Sequence, residues 1–409
     1  MTAADDATSL LSTDAIRERC GRILAAAAAG RSRWFELAPA RLDDAAETVA
    51  AVTRRRYPTL AVPYHSRWRH FEAGGIDRVA AVEATAGDVL ADPAERARAR
   101  IDLAVVSVLL DAGAGGAWRY LDRETGTTLS RSEGLGVASL RAFAAGLFSS
   151  DPARPLQADA EGLARLDAAR LADAFQVGPS NPLVGVEGRL ALLRRLGEAL
   201  AARPATFGAP SRPGGLFDAL TAGGASEVRA HDVLRALLDG FGGIWPQGAR
   251  IGGVAVGDAW RHPAAGGEGA SAGWVPLHKL SQWLTYSLLE PFESAGVRIV
   301  APDALTGLAE YRNGGLLVDA GVIVPRDATA FAAPLPPGAE PIVEWRALTV
   351  ALVDRLAPKV RARLGVDAAR MPLAAVLEGG TWAAGRELAQ QARRCGEPPF
   401  AIASDGTVF

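Results

Sequence analysis

Two carboxylates on either side of residue 314 are the side chains whose spacing best suits catalysis. Glu310 and Asp319 flank Asn313-Gly314-Gly315, residue types that accept left-handed backbone and therefore predict a tight bend. A bend would bring both carboxylates to one cleft. Such a pair suits hydrolysis at the anomeric carbon of a sugar, where one carboxylate activates water and stabilises the developing positive charge. The alternative is that Glu310 pairs with a surface arginine and Asp319 caps the next segment.

The stretch that begins at Pro276 is predicted to be a helix with an apolar side and a polar side. Leucines recur at helical spacing and predict a core-facing stripe: Leu277, Leu280, Leu284 and Leu288. Candidate substrate-binding residues lie beside that stripe: His278, Lys279, Gln282 and Trp283. Lysine occurs only at Lys279 and Lys359, so a chain that otherwise uses arginine has a compact ammonium here. The alternative is that Lys279 only reaches solvent from the end of the helix.

The segment 57–78 combines arginines with aromatic rings. Pro58 and Pro63 exclude a long helix there. Its candidate binding residues are Tyr64, His65, Arg67, Trp68 and Arg69. Arginine beside aromatic residues can bind a phosphate or carboxylate while the rings cover a sugar. The alternative is a structural clamp between lobes, in which Trp68 and Phe71 are core residues and the arginines pair with acids.

Composition excludes several classes of function. The chain has 409 residues and a formal net charge of −2, so neither nucleic acid nor an anionic membrane is the expected partner. No signal peptide or bilayer-spanning window is found, which predicts a soluble cytoplasmic protein. Cys20 and Cys395 are too few for a disulfide framework or a cysteine zinc site. The five histidines are scattered and no phosphate-loop or dinucleotide motif occurs, so we expect no metal and no cofactor.

Helical patterns outnumber plausible strands, which predicts a mainly α protein with a few short strands. We expect an N-terminal helical region over 1–100 that includes the substrate-contacting loop 57–78. A helical core would follow over 101–325, and a C-terminal helical region over 326–409 would pack on it. Two segments rich in turn residues are predicted between helices: a small hairpin from Trp118 and a lid-like loop over 257–273.

A short helix is also predicted immediately before the two carboxylates. Asp303 follows a proline and would cap this helix, and Asn313 would stop it. The prediction places Glu310, Tyr311 and Arg312 in the last turn of the helix. With the lysine-bearing helix, it would form the walls of an active site.

Four segments carry a family resemblance: YPTLAVPYHSRWRHFEAGG, NPLVGVEGRLALL, LHKLSQWLTYSLLEPF and LTGLAEYRNGGLLVDAG. They resemble the signature segments of the uracil-catabolism protein family of fungi and bacteria, and the resemblance covers nearly the whole chain. That family is encoded beside a cyclohydrolase-like enzyme and a uracil phosphoribosyltransferase of the ribosylurea route. The resemblance implies a role in uracil catabolism and an association with other enzymes of that pathway.

Residues 118–322 are more distantly similar to the queuosine-salvage nucleotide N-glycosylases. A PLxxERxxxLRE-type helix of that family corresponds to 182–198, a Lys-Arg-Ala-Gln helix to 279–282, and a Thr-x-Phe-Ala-Asp-Tyr-Arg segment to 306–312. Glu310 stands where that family has aspartate. The Val-Pro-Gln that follows in that family is Asn313-Gly314-Gly315 here. Either change could re-aim the carboxylate. The resemblance implies a helical, DNA-glycosylase-like bundle with an N-terminal helical extension.

The resemblances imply a metal-independent hydrolase that converts ribosylurea 5-phosphate to urea and ribose 5-phosphate. Glu310, helped by Asp319, would be catalytic. The phosphate would be held by Lys279, Arg312 and one of Arg67 or Arg69. The remaining substrate-binding residues would be Tyr64, His65, Trp68, Trp118, Asn181, His278, Gln282, Trp283 and Tyr311. Two alternatives stay open: an amidohydrolase that cuts the ureido group, and a non-catalytic partner of another pathway enzyme.

Overall fold

The computed structural model describes residues 2–245 and 248–403. Helices make up most of its regular structure and the strands are three or four residues long, so the predicted mainly α fold is confirmed. The α-helices are α1 Ala3–Ser9, α2 Thr13–Ala28, α3 Arg41–Arg56, α4 Trp68–Phe71, α5 Arg78–Thr85, α6 Pro93–Leu109, α7 Arg131–Ala144, α8 Ala160–Arg165, α9 Ala168–Ala174, α10 Val186–Ala201, α11 Pro204–Phe207, α12 Gly215–Leu220, α13 Ala230–Phe241, α14 Lys279–Ser294, α15 Tyr311–Asp319, α16 Glu340–Leu364, α17 Leu373–Val376 and α18 Trp382–Ala392. The strands are β1 Phe35–Leu37, β2 Tyr120–Asp122, β3 Thr127–Leu129, β4 Glu227–Arg229, β5 Ala249–Ile251, β6 Val254–Gly257, β7 Ala259–Arg261, β8 Trp274–Pro276, β9 Arg298–Val300 and β10 Ile323–Pro325.

The described residues form two compact units. The first consists of 2–65, 248–282 and 301–403, and the second consists of 66–245 and 283–300. Helix α14 contributes residues to both units. The division into three regions expected above stays a prediction. Within 2–245 and 248–403, no helix is both long enough and apolar enough to cross a membrane.

The core of the first unit is built around α16, a helix of 25 residues that is buried over most of its length. Pro341 stands in its first turn, where a missing N–H leaves no hydrogen bond unmade. The helix ends at Gly365, whose φ of 70° is the left-handed conformation that favours glycine after a helix. Helices α2 and α3 both pack against α16. Helix α16 also packs against α15, and α3 packs against residues 377–381.

The predicted start of the lysine-bearing helix at Pro276 is wrong, because Pro276 ends a strand. Strand β8 pairs antiparallel with β7 over the whole of both strands, and proline is tolerated in such short edge pairings. The chain then bends: His278 has a φ of 44°, and the backbone N–H groups of Leu277 and His278 both donate to the Asp258 carbonyl oxygen. Helix α14 therefore begins only at Lys279. The lid-like segment 257–273 contains β7 and two short 3-10 turns.

The predicted bend at Asn313 is also wrong, because Asn313 and the two glycines after it lie inside α15. Asp303 does not cap a helix that reaches Glu310, since only a 3-10 turn forms there, at Pro302–Ala304. Helix α15 starts after Glu310 and continues through the glycines. A Cβ on Gly314 would lie 2.6 Å from the Trp345 ring. Close packing against α16 therefore explains this glycine better than a turn does.

Helix α6 of the second unit begins at Pro93 and is capped by Asp92, whose side chain accepts two backbone N–H bonds. The predicted hairpin of this unit is confirmed, with β2 and β3 paired antiparallel. Its last β2 residue, Asp122, is buried and forms ion pairs with Arg78 and Arg141 at 2.7 and 3.0 Å. Strands β4 and β9 make a parallel pair in the same unit.

Candidate functional site

Glu310 lies at the N-terminus of α15 and caps the helix with its own carboxylate. Its backbone is extended, and its side-chain oxygens accept hydrogen bonds from the N–H groups of Arg312 at 2.7 Å and Asn313 at 2.5 Å. The residue is only 8% exposed. An ionised carboxylate has about four acceptor positions, so two accepted bonds leave about half of its capacity for another ligand.

Burial raises the pKa of the Glu310 carboxyl above its usual value. The two backbone N–H donors oppose this effect, and so do the positive charges of Lys279 and His65. A buried carboxylate beside two cations is a typical arrangement of an active site, where charge must be held without water. We call Glu310, Lys279, His65 and Glu378 the Glu310 cluster.

His65 is held by a second buried carboxylate that we did not predict from the sequence. Its Nδ1 lies 2.9 Å from Oε2 of Glu378, and its backbone N–H donates to the Ala374 carbonyl oxygen. Tyr57 and Arg56 donate to the other oxygen of Glu378, at 3.1 and 3.0 Å. Burial would raise the pKa of Glu378, but His65, Arg56 and Tyr57 outweigh it and lower that pKa. Glu378 is therefore an ionised partner that fixes the orientation of the imidazole.

Glu378 projects from a π-helical turn, Leu377–Thr381, between α17 and α18. Such wide turns are rare and often occur at functional sites. The turn passes very close to α3, because a Cβ on Gly380 would lie 2.6 Å from the Val49 carbonyl oxygen. The Glu-Gly-Gly sequence at 378–380 was the only signal of this arrangement, and two glycines alone do not indicate a π turn.

A hydrogen bond joins this π turn to the first turn of α15. The Thr381 hydroxyl donates to the Asn313 side-chain oxygen at 2.8 Å, and both residues are buried. Asn313 also supplies one of the N–H groups that bind Glu310. The bond therefore connects the backbone that holds Glu310 with the turn that carries Glu378.

Lys279 stands at the start of α14, where its backbone N–H donates to Asp258 at 3.0 Å. Arg346 binds the same carboxylate through two contacts, at 3.0 and 2.7 Å. Asp258 is buried, which would raise its pKa, but Arg346 and its other donors hold the pKa well below the usual value. This fixed ion pair positions the first turn of α14. It was missed in the sequence because Asp258 lies in a glycine-rich stretch.

Gln282 and His278 are both buried near this turn, and Nδ1 of His278 has no hydrogen-bond partner in the described part of the chain. Gln282 has unused binding capacity as well. Its Nε2 donates to the Thr306 hydroxyl at 2.6 Å, while its Oε1 is buried and has no hydrogen-bond partner in the described part of the chain. His278 contacts the Leu10 carbonyl oxygen through Nε2 at 3.0 Å. Burial lowers the pKa of His278, which favours a neutral structural role.

Asp319 does not join the Glu310 cluster. It lies at the other end of α15, about 13 Å further along the axis at the usual helical rise. Arg393 binds both of its oxygens, at 2.8 and 2.5 Å. Its predicted catalytic role has no geometric support, because the bend that would have paired it with Glu310 does not form.

Tyr311 and Arg312 are the first two residues of α15. Arg312 is buried and donates to the Gly396 carbonyl oxygen at 2.9 Å, with its guanidinium 5.0 Å from the Tyr311 ring centre. Tyr311 is 39% exposed. Tyr64 is half-buried and precedes His65 directly in the chain. The predicted substrate-binding roles of these residues stay predictions.

The remaining predicted binding residues belong to the second unit, where the arginines pair with acids, as the structural alternative expected. Arg67 is fully buried, donates to the Ser107 hydroxyl at 2.7 Å and pairs with Asp111. Burial lowers the pKa of this arginine. Arg69 pairs with Glu290 at 2.8 Å. Both guanidiniums are therefore already bound to acids of their own unit.

The aromatic and amide residues of the second unit also have structural contacts. The indole of Trp68 donates to the Ser287 carbonyl oxygen at 2.7 Å. Trp118 is fully buried, and its indole donates to the Phe175 carbonyl oxygen at 2.9 Å. Asn181 accepts from the backbone N–H of Arg119 at 2.8 Å. The Arg67 guanidinium lies over the Trp283 ring, and its central carbon is 5.7 Å from the centre of that ring.

Among residues 2–245 and 248–403, no group of three or more histidine, cysteine, aspartate or glutamate side chains is arranged to hold a metal ion. The chemical groups of the Glu310 cluster are instead two carboxylates, an imidazole and an ammonium. Such a set can transfer protons and stabilise charge.

Comparisons with known proteins agree on one family. Residues 9–409 match the model of a family described as "Protein of unknown function (DUF1688)". The chain is 38% identical to "Uracil catabolism protein 4" of Lachancea kluyveri, over 93% of both chains. It is 39% identical to "Protein urg3" of Schizosaccharomyces pombe, over the full length of both.

Proposed function

Because the chain belongs to the DUF1688 family and is related over its length to a protein named for uracil catabolism, we propose that it acts in uracil catabolism as an N-ribosyl hydrolase. The substrate would be ribosylurea 5-phosphate, and the products would be urea and ribose 5-phosphate. The observation that carries the proposal is the Glu310 cluster. A buried carboxylate held by two backbone N–H groups lies there under the charges of Lys279 and His65.

In the proposed reaction, the bond between C1 of the ribose and the urea nitrogen breaks while water adds to C1. Positive charge develops on C1 and the ring oxygen as the bond lengthens, and the Glu310 carboxylate stabilises it. The same carboxylate accepts a proton from the attacking water. The departing urea nitrogen receives a proton from elsewhere, so the overall reaction consumes one water.

We assign the proton donor to His65. Its Nδ1 faces Glu378, so the proton would leave from Nε2, on the opposite edge of the ring. Glu378 stabilises the protonated imidazole and prevents its rotation, as a carboxylate does for a catalytic histidine in other hydrolases. The raised pKa of Glu310 and the lowered pKa of Glu378 give the two carboxylates different roles.

Lys279 would bind the 5-phosphate, since a compact ammonium is a common phosphate ligand. The free Oε1 of Gln282 would accept an N–H of the ureido group. The resemblance of 279–282 and 306–312 to segments of the queuosine-salvage N-glycosylases stays a prediction, and it would place Glu310 at the position of their aspartate.

The test is to incubate purified protein with synthetic ribosylurea 5-phosphate and to measure urea, ammonia and ribose 5-phosphate over time. Equimolar urea and ribose 5-phosphate are expected. Ammonia as the first product would instead identify an amidohydrolase. No turnover, together with a stoichiometric complex with a neighbouring pathway enzyme on gel filtration, would identify a binding partner.

A further inference from the structure

A cavity in the first unit lies apart from the residues of the Glu310 cluster. It has a volume of about 290 Å³, close to the lower limit for small-molecule sites. Its walls come from the C-terminal end of α2 and the chain after it, from the residues that follow β7, and from the first turns of α16. The apolar part consists of Ile23, Ala26, Ala27 and Pro263.

A buried histidine and a buried glutamate face this cavity. His262 Nδ1 accepts the backbone N–H of Ala264 at 3.2 Å, so the ring proton is on Nε2, which contacts Oε2 of Glu344 at 3.2 Å. The exposed fractions are 5% for His262 and 3% for Glu344. Both nitrogens of the imidazole are therefore already hydrogen-bonded, and the histidine serves to hold the carboxylate.

The second oxygen of Glu344 is the unexplained atom. Oε1 is buried and has no hydrogen-bond partner in the described part of the chain. A buried carboxylate oxygen without a donor is strongly unfavourable, and such groups in native proteins usually have a partner. Glu344 lines the cavity, so a small rotation of its side chain would bring Oε1 to a donor of a ligand within it.

Positive charge is concentrated at another part of the same wall. Arg31 and Arg33 are exposed and line the cavity, and neither forms an ion pair within the described residues. The Arg33 guanidinium lies 5.2 Å from the centre of the Trp34 ring, and Trp34 in turn donates to Glu340 at 2.9 Å. Guanidiniums in this position suit a carboxylate, which they bind through two parallel hydrogen bonds.

We propose that this cavity binds a small zwitterion of the amino-acid class. The ammonium of the ligand would donate to Oε1 of Glu344, its carboxylate would contact Arg31 and Arg33, and a short aliphatic part would lie on the alanines of α2. Each end of the ligand therefore meets a group of opposite charge. The site is independent of the Glu310 chemistry, since it shares no residue with that cluster.

Isothermal titration of the full-length protein with glycine, β-alanine, L-valine and 4-aminobutyrate tests this site. At least one of these compounds should bind at millimolar concentration or better. Propylamine and propionate each lack one of the two charges and should bind at least about tenfold more weakly, which corresponds to about 1.4 kcal/mol. Failure of all four zwitterions to bind, or equal binding of propylamine, would overturn the proposal.

Two substitutions locate the binding. Glu344→Gln keeps an acceptor for His262 but removes the charge, and it should weaken binding at least about tenfold. The exposed Glu36→Gln is the matched control and should leave affinity unchanged. If Glu344→Gln does not fold, the double change of Arg31 and Arg33 to alanine, on the surface, should weaken binding by the same order. Unchanged affinity in a folded variant at either position would refute the assignment.

Discussion

Replacing Glu310 by glutamine removes one buried negative charge while nearly preserving side-chain shape. The carboxylate accepts N–H bonds from Arg312 at 2.7 Å and Asn313 at 2.5 Å, whereas the amide has a single oxygen and keeps one of them. We expect the free energy of unfolding to fall by about 1–2 kcal/mol, the usual effect of losing a helix-capping hydrogen bond. Part of this loss is offset, because burial raises the pKa of Glu310 and its charge is held at a desolvation penalty.

The effect on catalysis should be much larger than the effect on stability. The amide can neither accept a proton from water nor neutralise the charge on the sugar. Loss of a positioned base and of an electrostatic stabiliser should lower kcat by about 10³-fold or more, which is about 4 kcal/mol of activation free energy. The assay is the release of ¹³C-labelled urea from ribosylurea 5-phosphate, with urea denaturation of the same preparation to measure stability.

Glu387→Gln is the matched control for this experiment. Glu387 is a partly exposed carboxylate of the same unit that pairs with Arg55, so its replacement should change neither turnover nor stability measurably. If folded Glu310→Gln keeps wild-type turnover, Glu310 is a helix cap and has no part in the reaction. If both variants lose activity equally, the assay reports general damage to the protein.

Three further predictions concern other parts of the structure. Glu378→Gln should lower kcat by about 10–100-fold in the same urea-release assay, because the imidazole of His65 loses the carboxylate that fixes its orientation. Gly380→Ala should reduce the unfolding free energy by about 1–3 kcal/mol in urea, since its Cβ would contact the backbone of α3, whereas Gly21→Ala has open space and should not destabilise. Two arginines more than offset the effect of burial and lower the pKa of Asp122 to about 2 from 3.8. Its contribution of about 2 kcal/mol is therefore present above pH 3.8 and lost as the pH falls toward 2. Asp122→Asn should remove that dependence in acid titrations followed by circular dichroism, and an unchanged profile would show that other carboxylates control acid unfolding.

The sequence predicted elements whose signals are local. The hairpin was predicted from the turn residues between β2 and β3, which are a few neighbouring positions, and it forms. The bend predicted at the glycines after Asn313 was wrong for the same reason, because that prediction used only the local preference of glycine. At Gly314 the Trp345 ring leaves no room for a side chain, which no local pattern could show.

Long-range partners were the part that sequence patterns could not predict. His65 and Glu378 are separated by 313 positions, so their contact has no spacing that could be recognised. Asp258 and Arg346 are likewise distant in the chain, and their ion pair fixes the start of α14. Lys279 and Glu310 were chosen for their types and neighbours, and the charge of Lys279 does act on Glu310.

The wide turn that carries Glu378 has one residue more than an ordinary helical turn would need. Removal of a single residue from Leu377–Thr381 would allow the chain to continue as a regular α-helix from α17 into α18. An α-helical turn closes with fewer residues than a π turn, so the parts on either side would nearly keep their present orientation. The residues within the turn, Glu378 among them, are the ones that would shift. Glu378 would no longer face His65, so the length of this segment, as well as its sequence, determines whether the imidazole has a partner.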